Sequence, residues 1–183
     1  MYYQTRNQHG YLYYTALGLI TIALFVIQSI PLLPRIAAVC AMPLLPLVFC
    51  IGVFNNEAVG FVFGLLAGLL MDITSSASDG FNALVLTVFG LGVALLTEYL
   101  FNDRLVTTCL LSFIFTAGYY LLYWLFFIVG RGYEGAGVYL VRFTLPAVIY
   151  TWVFTVPFYY LARYIRKVSL RDRDEEKNRG FLR

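Results

Sequence analysis

Few side chains in this 183-residue sequence could carry out chemistry, and two aspartates stand out. Asp72 and Asp79 are seven residues apart across a serine-rich stretch, so they could form an acid pair for general acid–base work. We favour structural roles for both. Asp72 would cap a neighbouring backbone or lie at a membrane interface, and Asp79 would cap the next helix. The alternative for Asp72 is a functional role, in which its carboxylate is buried against a partner helix or a ligand.

No other constellation suggests catalysis or metal binding. The sequence has no HExxH, GxSxG or Walker phosphate loop and no carboxylate cluster with metal-ligand spacing, and its single histidine is His9. Three cysteines lie in apolar segments without a CxxC pair, and we interpret them as buried free thiols: Cys40, Cys50 and Cys109. We therefore expect no enzyme activity, no cofactor and no metal.

Asp72 ends a stripe of glycines that recur every four residues. On a helix, Gly60, Gly64, Gly68 and Asp72 share one face, because residues four apart stack above one another. In a water-soluble helix each glycine costs about 1 kcal/mol relative to alanine. In a bilayer the same spacing lets two helix backbones approach closely. We predict that the stripe contacts another helix, of this chain or of a partner, and we place Gly80 in the same contact region.

The composition indicates an integral membrane protein. Hydrophobic residues make up 61% of the sequence and charged residues 13%, whereas soluble domains carry about 25% charge. No polar segment is long enough to build a separate core. We predict an all-α polytopic protein with a cytoplasmic lead (1–10), a six-helix transmembrane domain (11–162) and a basic cytoplasmic tail (163–183).

Six apolar segments are candidates to cross a bilayer of about 30 Å. Pro43 and Pro46 fall within the second segment and predict a kinked helix there. An aromatic block from Tyr119 to Phe127 in the fifth segment predicts a belt near one interface. The predicted spans are 11–30, 35–54, 58–72, 80–100, 105–129 and 138–161.

Basic residues predict the orientation of these spans. With six spans, ten lysines and arginines fall on the side of the two termini and three on the opposite side. By the positive-inside rule, both termini then lie in the cytoplasm, and the loop from Asp72 to Gly80 lies outside. Arg163, Arg166 and Lys167 directly follow the last span. We expect each to contribute about 1 kcal/mol near anionic lipid headgroups.

One pattern covers the last two thirds of the sequence. A glycine, apolar residues and an aspartate run from Gly68 to Asp72, Gly80 opens the next helix, and two further stretches follow at 120–125 and 145–157. These residues resemble the MreD family, the membrane component of the bacterial rod-shape machinery. Asp79 departs from the pattern, because an apolar residue usually precedes that glycine.

The resemblance implies a non-enzymatic scaffold of the elongasome in the bacterial inner membrane, with a role in peptidoglycan synthesis and cell shape. It implies association with the bitopic protein MreC, and through MreC with MreB, RodA and a class B penicillin-binding protein. We expect the outer face and one flank of the bundle to hold the transmembrane helix of MreC, because the glycine stripe permits close helix contact and the outer loop offers hydroxyls and acids at the outer surface.

Two other functions stay open. The MreD fold is similar to the substrate-binding subunits of energy-coupling-factor transporters, so a vitamin-binding subunit is the main alternative. Such a subunit needs a polar-lined pocket, and this sequence offers few polar residues outside its termini and outer loop. A lipid-modifying enzyme is the third possibility, and it would need a carboxylate or histidine constellation that the sequence lacks.

The predicted topology can be tested with reporter fusions. A cytoplasmic-type reporter fused after Arg183 should be active, because the basic residues hold that end of the chain inside. The same reporter inserted after Asp79 should be inactive and serves as the control. Activity of a periplasmic-type reporter at Arg183 would contradict the predicted orientation.

Overall fold

A computed structural model describes residues 2–30, 41–75, 80–99, 105–133 and 135–181, with the backbone alone for 2–12 and 169–181. These ranges contain helices and their connections and no strand, in agreement with the predicted all-α class. The α-helices are α1 (Tyr2–Ser29), α2 (Leu44–Phe54), α3 (Glu57–Thr74), α4 (Phe81–Tyr99), α5 (Leu105–Trp124), α6 (Ala136–Tyr139), α7 (Leu145–Val153) and α8 (Thr155–Phe181). Short π-helical stretches extend α5 (Leu125–Val129) and join α6 to α7 (Leu140–Thr144).

Four helical stretches are long and apolar enough to cross a membrane. They correspond to the third to sixth predicted spans and run over Glu57–Thr74, Phe81–Tyr99, Leu105–Val129 and Ala136–Val168. The first two predicted spans correspond to shorter apolar helices, Tyr13–Ser29 and Leu44–Phe54. Residues 31–40, which include the predicted start of the second span and Cys40, lie outside the described ranges.

Helix α2 is enclosed by the other helices. All 11 of its residues are buried, and it contacts α1, α3, α4, α5, α7 and α8. At a rise of about 1.5 Å per residue, α2 is roughly 16 Å long, or about half of the hydrocarbon thickness of a bilayer. The apolar sequence of α2 therefore packs against protein on every side, and α2 is shorter than the predicted span 35–54.

The two prolines of this region start α2 and do not kink it. Pro43 precedes the first residue of α2 and Pro46 lies in its first turn, where backbone N–H groups have no helical acceptor and proline is tolerated. The predicted kink is therefore wrong. A neighbouring helix stabilises the entry into α2, because the Met42 N–H donates a hydrogen bond to Thr151 Oγ1 at 3.1 Å.

The last helix includes the predicted tail. Helix α8 continues without a break from Thr155 through Arg163 to Phe181. The turn between α7 and α8 lies at Phe154, close to Pro157, which has no N–H to offer the preceding turn. The boundary placed at 162–163 from charge is therefore not a boundary of secondary structure.

Candidate functional site

The glycine stripe of α3 lies against α4 of the same chain. Gly60, Gly64 and Gly68 are buried, and α4 backbone atoms lie directly over them. A methyl group at Gly60 would lie 2.5 Å from the carbonyl oxygen of Gly90, and one at either of the other two would overlap the α4 backbone. These positions therefore accept no side chain unless one of the two helices moves.

The close contact is reciprocal at Gly90. A methyl group there would lie 2.5 Å from the carbonyl oxygen of Gly60 and 3.4 Å from the Cα atom of Gly64. On the enclosed helix, a methyl group at Gly52 would lie 3.1 Å from the carbonyl oxygen of Gly90. Backbones of α2, α3 and α4 therefore meet around Gly90. The expectation that the stripe holds a partner's helix needs correction, because α4 already fills that face.

Asp72, in the last turn of α3, caps the start of α4. Its Oδ2 accepts a hydrogen bond from the Ala83 N–H (2.8 Å) and its Oδ1 accepts one from the Asn82 N–H (3.2 Å). Both N–H groups lie in the first turn of α4, where no helical carbonyl can reach them. A carboxylate also interacts favourably with the positive end of the helix dipole. Asp72 therefore acts as an N-cap for α4, although it belongs to α3.

The capped end of α4 is also joined to α5. Tyr119, which is 1% exposed, donates its hydroxyl to Asn82 Oδ1 at 2.6 Å. The Phe81 ring packs against four aromatic rings of α5 and its π-helical extension, with centroids 5.2 to 6.4 Å away. We call Asp72, Phe81, Asn82, Ala83 and Tyr119 the capped junction. It ties three helices together at one end of the bundle.

Gly80 lies next to the capped junction but outside the close helix contact. Its φ of 79° is in the left-handed region, which glycine adopts without the steric cost of a Cβ atom. A methyl group at Gly80 would meet nothing within 4 Å. Gly80 therefore turns the chain into α4, and its predicted place in a helix contact stays a prediction. Residues 76–79, including Asp79, lie outside the described ranges.

The three basic residues that follow the last predicted span have different environments. Arg166 is half-buried, and its guanidinium carbon lies 5.7 Å from the ring centre of Phe54, the last residue of α2. This cation–π contact holds α8 against the enclosed helix. Arg163 and Lys167 are exposed. The contact with Phe54 was not predictable from charge alone, because it depends on where α2 ends.

Sequence reasoning missed a row of buried hydroxyl groups between α5 and the last two helices. The hydroxyls of Ser112 and Thr155 are 2.7 Å apart, and those of Tyr120 and Thr151 are 3.0 Å apart. A signal was present, because polar residues recur every four positions along α5 at 108, 112, 116 and 120, and this spacing places them on one helix face.

The aromatic block of α5 only partly forms the predicted belt. Tyr119 and Tyr120 are buried inside the bundle, where both hydroxyls are hydrogen-bonded. Phe126 is exposed, and Tyr123 and Phe127 are half-buried. The interfacial prediction therefore needs correction for the two buried tyrosines.

Cysteine and acidic residues form no metal centre in the ranges that the structure covers. Cys50 is a buried free thiol, as predicted, whereas Cys109 is a free thiol that is only partly buried. No group of three or more histidine, cysteine, aspartate or glutamate side chains in those ranges is placed to hold a metal ion.

Comparisons with known proteins identify one family. A family model described as rod shape-determining protein MreD matches residues 10–168. No curated protein and no solved structure matches the chain. The expected likeness to substrate-binding subunits of energy-coupling-factor transporters therefore has no solved structure in its support. The matched range includes the glycine stripe, the capped junction and the three basic residues of α8.

The close α3–α4 contact predicts that a single methyl group is costly. Gly64→Ala should lower the free energy of unfolding by about 1–3 kcal/mol, because the methyl group must push α4 away. Thermal unfolding in detergent measures the loss. Gly18→Ala is the matched control, since a methyl group at Gly18 on α1 meets nothing within 4 Å. Equal melting temperatures for the two variants would contradict the contact.

The capping role of Asp72 predicts a graded loss of stability. Asp72→Ala removes both acceptors from the start of α4 and should lower the free energy of unfolding by about 1–2 kcal/mol. Asp72→Asn keeps one acceptor oxygen and should fall between the alanine variant and the wild type. Thermal unfolding in detergent gives the order of the three proteins. An alanine variant as stable as the wild type would show that the cap contributes nothing.

Proposed function

This chain belongs to the MreD family of rod shape-determining proteins, and we propose that it is a non-enzymatic scaffold of the cell-elongation complex that binds MreC. The observation that carries the proposal is the family match over residues 10–168 of 183. Membership implies a role in rod-shape determination. The proposal adds that this role is exerted by binding: MreC is the direct partner, and RodA, a class B penicillin-binding protein and MreB associate through it to direct peptidoglycan synthesis.

We place the scaffold in the bacterial inner membrane with six spans and both termini in the cytoplasm. Four membrane-crossing candidates and two shorter apolar helices support this count. The ten-to-three division of basic residues supports the orientation. In this arrangement the capped junction lies at the outer end of the bundle, and Arg163, Arg166 and Lys167 lie at the inner end.

The partner's helix would bind on the outward flanks of α3 and α4 beside the capped junction. The glycine face of α3 is occupied by α4, so it is not open to a partner. On the outward flanks, Ile73 of α3 is 79% exposed and Leu84 of α4 is 67% exposed. Both positions lie at the level where the periplasmic segment of a bitopic protein would leave the membrane. The capped junction fixes the two flanks relative to each other. No feature of the described residues favours the vitamin-binding alternative.

Site-specific photo-crosslinking in native membranes tests the proposal. A photoreactive amino acid at Ile73 or Leu84 should yield a crosslinked product that contains MreC. The matched control is the same amino acid at Tyr164, which is 68% exposed at the opposite end of the bundle. Crosslinks to MreC from Tyr164 alone would place the partner elsewhere. If MreC neither crosslinks nor co-purifies with the wild-type chain, the scaffold proposal is wrong.

A further inference from the structure

The outward face of α8 changes in character along its length. Five exposed residues lie on one side of this helix, because they are spaced three and four residues apart. They are Val156, Tyr160, Arg163, Tyr164 and Lys167. Tyr160 is 54% exposed and Tyr164 is 68% exposed. From Val156 toward the tail, this face therefore begins with an aliphatic residue and continues with alternating tyrosines and basic residues.

This order matches the layers of a membrane leaflet. Aliphatic side chains suit the hydrocarbon region, tyrosines suit the level of the glycerol and ester groups, and long basic side chains reach the phosphates. Arg163 and Lys167 are four residues apart, so their charged groups project from the same side of α8. Arg166 is directed elsewhere, over the Phe54 ring, and does not belong to this face.

We propose that Arg163 and Lys167, with Tyr160 and Tyr164, form a site for the headgroup of an anionic phospholipid. The two basic side chains bind the phosphate, whose negative charge no headgroup cation neutralises, and the tyrosines bracket the lipid backbone. Charge complementarity and the layered order of the face select an anionic phospholipid as the occupant. The inference does not depend on the scaffold function, because it concerns the lipid contact of α8 alone.

Thermal unfolding in nanodiscs tests the site. Wild-type protein is compared in phosphatidylcholine alone and in an equal mixture of phosphatidylcholine and phosphatidylglycerol. The anionic lipid should raise the melting temperature of the wild type, and the double variant Arg163→Gln/Lys167→Gln should lose about 4–8 °C of that increase. Both substitutions lie on an exposed helix face and keep a good helix-forming residue.

The matched control is Arg131→Gln/Arg142→Gln. It removes the same charge from two exposed residues outside α8, and both leaflets of a nanodisc contain the anionic lipid. The control should keep most of the lipid-dependent increase. An equal loss in the two double variants would overturn the site and indicate general surface electrostatics. The same increase with inorganic phosphate in phosphatidylcholine nanodiscs would overturn the assignment to a lipid.

Native mass spectrometry provides a second readout that does not depend on melting. Protein released from the mixed nanodiscs should retain phosphatidylglycerol in the wild type and in the Arg131/Arg142 control. The Arg163/Lys167 variant should retain several-fold less. Equal retention in all three proteins would overturn the proposal.

Arg166→Gln should lower the melting temperature equally in both lipid compositions, because the Arg166 side chain packs against Phe54.

Discussion

The close approach of α3 and α4 is the contact on which the rest of the structure depends. Between apolar helices in a bilayer the hydrophobic effect gives little drive to associate, so packing and hydrogen bonds must supply it. Glycines at 60, 64, 68 and 90 bring the two backbones together. This approach places the Asp72 carboxylate beside the first turn of α4. The capped junction then connects α4 to α5 through Asn82 and Tyr119.

Hydrogen bonds also hold the start of the enclosed helix and link α5 to the last two helices. Helix α2 forms only part of the second predicted span, so its start lies inside the protein, where Thr151 accepts a hydrogen bond from the Met42 N–H. Thr151 also bonds with Tyr120, and Ser112 bonds with Thr155. These hydroxyls link α5 to the last two helices where apolar packing alone would not specify the arrangement. The result is a bundle with an apolar exterior and a hydrogen-bonded interior.

Much of this architecture was predictable from local patterns, and the remainder depends on tertiary contacts. The four-residue spacing of Gly60, Gly64 and Gly68 predicted a contact face but not its occupant, since spacing does not say which helix is adjacent. Capping by Asp72 was among the expected roles. The sequence did not show that its carboxylate oxygens accept hydrogen bonds from residues ten and eleven positions later. The kink predicted from Pro43 was wrong, because hydropathy alone does not reveal where a helix starts. Arg166 was grouped with its basic neighbours, because charge carries no information about the Phe54 ring.

Family membership and geometry together describe a rod shape-determining membrane protein whose helix packing centres on the α3–α4 crossing. A double-mutant cycle of Gly60→Ala and Gly90→Ala, followed by unfolding in detergent, tests this claim most directly. Each added methyl group would lie 2.5 Å from the carbonyl oxygen of the other glycine, so both substitutions open the same crossing. We predict that each single variant is less stable than the wild type and that the double variant loses less than the sum of the two single losses. Neutral single variants, or losses that add within about 0.3–0.5 kcal/mol, would contradict a shared contact.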